Sequence, residues 1–594
     1  MVFGKNVNRY YIKHGPMLLL GIFALLLVDY MQLKVPELYK YVINGINSGV
    51  VTYGKETLAF DMDFLLDKVC FPLIFVIVSL VFGRFLWRVC FFGTAIKIEQ
   101  DIRSRMFDHA KELSVQFYHT NKTGNLMSLF TNDLDTIQEC FGGGVLMLFD
   151  ALVLGSMSLI KMLRMNPVLT LFALIPMVFL FVAATIVGKY EMKKWDKRQA
   201  AFSALSDFSQ ESFSGISVIK AFVKEGKELW AFSALSKKNE DINVEYAKIS
   251  AAFRVMIELF IGSVICIILG YGGFLVHRGV FNGGELVEFI SYFDSIIWPV
   301  MAVSELIELK SRGKASLKRV DELLDAEIDV RDSENVTQTA PFRGDIEFKN
   351  LTFRYEGRDY DILKNVSFKI NAGENVGIIG KTGSGKTTIV DLLLRTYNIP
   401  DGTIFIDGKD INLIPIKTVR EYSAYVPQDN FLFSDTIKSN IAFASDSGNI
   451  EDVRHAALMA DVDSNISEFP QGYDTVLGEK GVTVSGGQKQ RISIARALMK
   501  EAAILILDDS VSAVDTATEK VIIENLRENR KGRTTILIAH RISTVEKMDK
   551  IIFVDDGSVL AVGSHSELLE TCPEYATMVE LQKLEEEKGG SDNA

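Results

Sequence analysis

A chain of 594 residues is longer than the ~250 to 300 residues at which one hydrophobic core stops growing, which rules out one small domain. Its 48% hydrophobic content, with 39 Phe, beside 24% charged residues points to two unlike halves. Lys and Arg number 64 against 76 Asp and Glu, so the net charge of -12 argues against a nucleic-acid partner, and the five scattered cysteines fit neither a disulfide framework nor a zinc site.

Lys5, Arg9 and Lys13 precede the first apolar segment, Pro16 to Tyr39. No A-x-A cleavage site follows Leu18 to Val28 and the apolar pattern resumes past Asp29, so this reads as an uncleaved membrane helix rather than a signal peptide. Further spans are expected at Phe64 to Phe92, Gly142 to Met162, Val168 to Val187, Met256 to Val276 and Leu286 to Val303. Val168 to Val187 carries no charge and has the ~20 residues a bilayer-crossing helix needs. The alternative, buried core helices of a soluble protein, would need six such helices in sequence without amphipathic partners to cover them.

The segment after the second span carries Lys97, Arg103, Arg105, Lys111 and Lys122; that after the fourth carries Lys189, Lys193, Lys194, Lys197 and Arg198. Both belong on the cytoplasmic side, with both termini, although Lys161, Arg164 and Arg278 dilute the bias. The opposite connection holds Glu56, Asp61, Asp63 and Asp67. Apolar spacing such as Ile98, Ile102, Met106 and Phe107 predicts that the helices continue out of the membrane.

Asp29, Asp150 and Asp294 lie inside spans and Glu258 near the start of one. An acid at the bilayer centre costs ~2.5 to 3.5 kcal/mol on insertion scales, so these are expected to face a cavity or one another. With many Phe nearby, such a chamber suits amphipathic cations. Asp29 and Asp294 are the first candidates; the bland alternative pairs Asp150 or Glu258 with Arg84 or Arg88.

Asp325 to Pro341 is polar and aperiodic, a linker. The division is a membrane domain at 1–325, a linker at 326–343, an α/β domain at 344–585 and a disordered tail at 586–594. β-rich stretches (Ile346 to Phe353, Asn375 to Ile379, Ile504 to Leu507) alternate with helical patterns such as Thr388 to Arg395.

Gly380, Lys381, Thr382, Gly383, Ser384, Gly385, Lys386 and Thr387 spell GKTGSGKT, which fits G-x-x-x-x-G-K-[ST] between the strand NVGII and a helix. The glycines turn backbone N–H groups inward and the helix N-terminus adds partial positive charge beneath phosphates. Lys386 supplies a full charge and Thr387 a hydroxyl for magnesium. ILILDD ends a buried strand in Asp508 and Asp509, suited to a magnesium-linked acid and a water-orienting one. VSGGQ, from Val484 through Ser485, Gly486, Gly487 and Gln488, could present N–H groups to another phosphate.

With these motifs in order, the chain resembles the ATP-binding cassette family over nearly its whole length: GKTGSGKT looks like Walker A, ILILDD like Walker B and VSGGQKQR like the signature. The resemblance implies Tyr355 as the aromatic that stacks on adenine, Gln428 in YVPQDN as the Q-loop, Asp515 in SAVD as the D-loop and His540 in IAHR as the switch histidine. It places magnesium at Thr387, Gln428 and Asp508, and hydrolysis at Asp509, His540 and Gln428. Phe117 to Leu134 and Glu211 to Glu225 look like the segments bearing the two coupling helices.

The implied fold is multidomain: an all-α six-helix transmembrane domain of exporter type, then an α/β P-loop nucleotide-binding domain. Such a half-transporter closes head to tail with a partner around two ATP molecules, each between one subunit's Walker A and the other's signature. The family's hydrolytic Glu is here Asp509, as in the degenerate-site subunit of heterodimeric bacterial multidrug exporters, a match that extends to IIWPVMAVSEL. This implies a paralogous partner, a bacterial cell membrane, ATP and Mg2+, and hydrophobic small molecules as cargo. A lipid or peptide exporter, or an ATP-gated or regulatory cassette protein, shares the motifs; peptide processing is disfavoured because the first span begins near Pro16.

Overall fold

The computed structural model describes residues 4–591 apart from Lys55 and residues 338–340, 446–447 and 479–483. It divides into two units, Met1–Ala110 with Gly124–Asp325, and Lys111–Thr123 with Ala326–Ala594.

The first unit is helical. The expected span from Pro16 to Tyr39 is two helices, α1 (Gly15–Gln32) and α2 (Val35–Ser48), broken at Leu33 and Lys34. Pro36 stands in the first turn of α2, where its missing N–H costs no intrahelical bond. An antiparallel hairpin, Val50–Tyr53 with Glu56–Ala59, stands where the sequence suggested only an acidic connection. Val51 anchors it against Phe64 and Val69.

Helix α3 (Phe71–Glu112) has 42 residues. At 1.5 Å per residue it spans ~63 Å, well over the ~30 Å hydrocarbon core, so it continues beyond the membrane as its apolar spacing predicted. The short α4 (Val115–Thr120) belongs to the second unit; the first resumes with α5 (Gly143–Met165), α6 (Pro167–Ser214), the short α7 (Ile216–Ala221), α8 (Glu225–His277) and α9 (Gly283–Leu324). Helix α9 starts on a capping box in which Asn282 and Glu285 satisfy each other's backbone N–H groups. It runs some twenty residues past the expected end at Val303, into charged sequence that the apolar criterion could not follow.

Among the described residues, five helical stretches are long and apolar enough to cross a membrane. The fourth expected span lies on α6, whose Pro167–Leu180 part is a shorter apolar stretch. Helix α6 packs along α8, and α9 along α2 and α5. Their core includes Met162, Leu169, Ile268, Phe289 and Tyr292, all fully buried. Outward-facing residues of α3 are apolar as well: Val81, Phe82 and Phe85 are 63, 70 and 69% exposed, a surface suited to lipid.

The second unit is built on two sheets. The smaller has order β2-β1-β4-β5, from β1 (Ile346–Phe353), β2 (Leu363–Ile370), β4 (Ile404–Ile406) and β5 (Lys409–Asp410). The larger has order β10-β9-β3-β8-β7-β6. It comprises β3 (Asn375–Gly380), β6 (Ser423–Val426), β7 (Ile504–Asp508), β8 (Thr534–Ala539), β9 (Lys550–Asp555) and β10 (Ser558–Gly563). All its pairings are parallel except β9 with β10. Every residue of β7 and β8 is buried, as a parallel sheet covered on both faces requires.

The linker is tied to this unit. Asn398 donates to the Asp329 carbonyl (2.8 Å), the Asp332 carboxylate accepts from the Ile416 N–H (2.8 Å), and the Thr337 N–H donates to the Leu413 carbonyl (3.1 Å). The tail expected to be disordered from residue 586 instead extends the helix Pro573–Ser591. Its run of Leu, Glu and Lys consists of good helix formers.

Candidate functional site

Strand β3 lies inside the larger sheet between β8 and β9, and its carboxyl end feeds GKTGSGKT into α10 (Lys386–Leu393). Ligands of open α/β sheets bind at such ends. Gly380 sits so close to β9 that a Cβ there would lie 1.9 Å from the Val554 carbonyl oxygen. Gly383 and Gly385 have φ of 83° and 96°, left-handed values that favour glycine. Gly380→Ala should therefore force β3 and β9 apart, lower the thermal unfolding temperature measurably and abolish ATP binding. Wild-type unfolding and ATP binding in this variant would contradict the packing.

Lys386 is buried, and its ammonium donates to the carbonyls of Gly380 and Lys381, both at 2.9 Å. Burial pushes its pKa down, while Asp508 and Asp509 act to raise it. The Lys381 side chain turns away to Asp555 (3.2 Å) and Thr382 is exposed, so both enter the loop through backbone alone. The Ser384 hydroxyl and one Asp508 carboxylate oxygen are buried with no protein partner. A Cβ on Gly383 would meet nothing within 4 Å, which marks open space over the loop. Two orphaned oxygens, a buried lysine and that space fit a phosphate chain with its metal.

Asp508 closes β7 at 1% exposure. Burial raises its pKa; the nearby Thr387 hydroxyl, Lys386 and His540 lower it, and Asp509 raises it. Asp509 has φ of 46°, and its N–H donates to the Ile538 carbonyl on β8 (3.0 Å). That bond fixes the backbone, so the carboxylate ends about one C–C bond, ~1.5 Å, short of where a Glu would carry it.

Sequence reasoning missed two neighbours of Asp508. Tyr425 on the edge strand β6 brings its hydroxyl within reach of it. Asp391 on α10 is pushed up to about 6 by burial and then by the Asp508 charge. Both are isolated in sequence and carry no motif.

A carboxyl whose folded pKa is raised binds its proton more tightly when folded. Its contribution is present at low pH and lost as pH rises from about 4 through 6. Asp391→Asn should therefore raise the unfolding temperature at pH 7.5, with a smaller gain at pH 5. A gain that does not shrink at low pH would contradict this.

Tyr355 follows β1. Its hydroxyl bonds Thr388 (3.0 Å) and its ring stands edge-on to Phe353 and Tyr397, each at 5.1 Å. Gln428 lies exposed in the loop after β6. His540 follows β8 and is clamped by a residue the sequence gave no reason to choose, Gln582. Its amide donates to the His540 carbonyl (2.7 Å) and accepts from the Ile542 N–H (2.8 Å).

Ser485 caps α11 (Gly486–Leu498) in a reciprocal box with Gln488. A Cβ on Gly487 would lie 3.0 Å from the Ala513 carbonyl oxygen, and Gln490, also missed, accepts from the Ala513 N–H (3.0 Å). This holds the SAVD turn beside the signature. Asp515 itself caps α12 (Thr516–Asn529), accepting from the Ala517 (3.1 Å) and Thr518 (3.0 Å) N–H groups. Ser485 and Gly486 are exposed, and among the described residues no hydrogen bond or ion pair joins Ser485–Gln488 to Gly380–Thr387.

Of the membrane acids, Asp29 on α1 and Asp150 on α5 come within reach of each other; Asp294 on α9 and Glu258 on α8 are exposed. The suggested arginine pairs do not form for Asp150. It accepts from the Trp298 indole (2.7 Å), while Arg84 donates to Gln32 (3.3 Å) and Arg88 lies over Trp87 (5.4 Å).

The family described as ABC transporter transmembrane region matches residues 18–300, and that described as ABC transporter matches residues 363–512. A probable multidrug resistance ABC transporter ATP-binding/permease protein, YheI of Bacillus subtilis, is 39% identical over 96% of each chain. The multidrug resistance-like ATP-binding protein MdlA of Escherichia coli is 36% identical over 95% of this chain and 94% of its own. A bacterial Atm1-family ABC exporter solved with ATP bound superposes with a TM-score of 0.75 at 26% identity, covering 97% of this chain and 98% of that one.

Proposed function

The chain belongs to the ABC transporters, as a multi-pass membrane protein that couples ATP hydrolysis to export, and from that membership we propose the finer assignment that follows. It is one half of a heterodimer that exports amphipathic, mainly cationic compounds across the bacterial cell membrane. Its own Walker site binds ATP but hydrolyses it poorly. The observation that carries this is Asp509, whose backbone is pinned to Ile538 while its side chain is one methylene short.

Tyr355 stacks on adenine, held upright by Tyr397 and Thr388. Lys386 exchanges its two loop carbonyls for phosphate oxygens. Thr387, Asp508 and Gln428 would hold magnesium, which would supply neutralisation of the phosphate charge. Asp509 and His540 would position the attacking water, and a misplacement of ~1 Å costs about 10²-fold.

The exposed N-terminus of α11, with Ser485, Gly486, Gly487 and Gln488, instead serves the nucleotide on the partner, whose Walker B is expected to keep a Glu. Multidrug names among the relatives and the intramembrane acids support amphipathic cations as cargo. The Lys and Arg excess in the helical extensions of α3 and α6 supports a cytoplasmic position for the cassette and both termini.

Reconstituted alone, the chain should bind ATP yet hydrolyse it about a hundredfold more slowly than when co-reconstituted with its partner half-transporter. Equal rates would contradict the assignment.

A further inference from the structure

Asp29 is 2% exposed and one of its carboxylate oxygens is buried without any partner. A buried, unpaired polar atom is costly, and more so in a membrane domain. The group in front of it is the Asp150 carboxyl, within hydrogen-bonding reach across the α1–α5 interface. Two carboxylates are both acceptors, so the contact is satisfied only by a proton or another cation between them.

The surroundings hold this pair in place. On α5, Gly155 lets Pro299 of α9 approach, since a Cβ there would stand 3.2 Å from the proline ring. This brings Trp298 close enough to donate to Asp150 at 2.7 Å. On α3, Gly83 admits Val28 of α1, one residue before Asp29.

The charged group that faces the pair from α3 is Arg84, engaged with Gln32; α9 contributes the neutral indole, with Asp294 one turn earlier. Trp298, whose indole N–H is tied to Asp150, remains 45% exposed.

We propose that Asp29, Asp150 and Trp298 form one binding site for a monovalent organic cation with an aromatic or apolar body. The cation takes the place of a single proton that the two carboxyls otherwise share. The exchange balances in atoms and charge: the protonated pair and the cation give the cation-bound dicarboxylate and one proton released to water. Because one positive charge replaces another, binding adds no net charge to a low-dielectric interior. The indole supplies an aromatic face for the cation. This rests on the cationic cargo proposed above and deepens it.

Tetraphenylphosphonium, which has no titratable proton, is the probe. Titration calorimetry on the full-length protein co-reconstituted with its partner, in two pH 7 buffers of different ionisation enthalpy, counts protons released per cation bound. Wild type should release about one, and Asp29→Asn and Asp150→Asn none, with at least about tenfold weaker binding. ATP binding to the cassette is the folding control, and the half-exposed Asp150 carries the test where Asp29→Asn fails to fold.

Binding that releases no proton, or that is as tight and releases as many in both variants, overturns this site and leaves cation export standing. No binding to wild type, with no stimulation of its ATPase, contradicts the cationic cargo itself and the site with it.

Discussion

Gly487→Val in this chain lowers the ATPase rate of the assembled pair by about a hundredfold or more, while ATP labelling of the chain's own Walker site is unchanged. The N-terminus of α11 exposes Ser485 and Gly486, with Gly487 half-buried beside them, and among the described residues none of them bonds this chain's own phosphate loop. Removing a donor aimed at developing charge typically costs 10² to 10³ in rate.

Valine acts on two levels. Its Cβ would start 3.0 Å from the Ala513 carbonyl oxygen, so the SAVD turn that Gln490 holds must move, and in the proposed pair its branches would stand where the partner's nucleotide approaches. ATP photolabelling and thermal unfolding separate this from general misfolding. Full ATPase activity in a folded Gly487→Val pair would mean that this signature serves no hydrolytic site.

The cassette was the more legible half. Strand β1 begins and ends at the residues its pattern indicated, and β3 and β7 extend one residue further, because buried parallel strands are short apolar runs bounded by loops. The phosphate loop followed from three glycines and a lysine at fixed spacing.

What stayed hidden acts across long sequence separations. Gln582 clamps a loop forty residues upstream, Gln490 ties the signature helix to Ala513, and Tyr425 and Asp391 reach Asp508 from other elements. Each is an ordinary polar residue in its own neighbourhood.

In the membrane unit the apolar runs located the spans but not their ends. Hydropathy stops at the membrane surface, whereas α3, α6, α8 and α9 go on as polar helix. The break at Leu33 and Lys34 that separates α1 from α2 was invisible to an averaged criterion. Among the acids, composition could not separate Asp29, buried against Asp150, from Asp294 and Glu258, which are exposed.

The proposed division of labour between two unlike ATP sites rests on Asp509. Its N–H bond to β8 leaves the backbone no freedom to compensate for the shorter side chain, and φ of 46° already places it in a sparsely populated region. If the chain's own site contributes little to turnover, removing that carboxylate costs little. If the partner's site does the work, its glutamate cannot be spared.

The direct measurement is steady-state ATPase of the purified pair carrying either Asp509→Asn in this chain or Glu→Gln at the equivalent position of the partner. The account predicts a rate within about twofold of wild type for the first and a loss of at least about a hundredfold for the second. Equal losses from the two substitutions would contradict it.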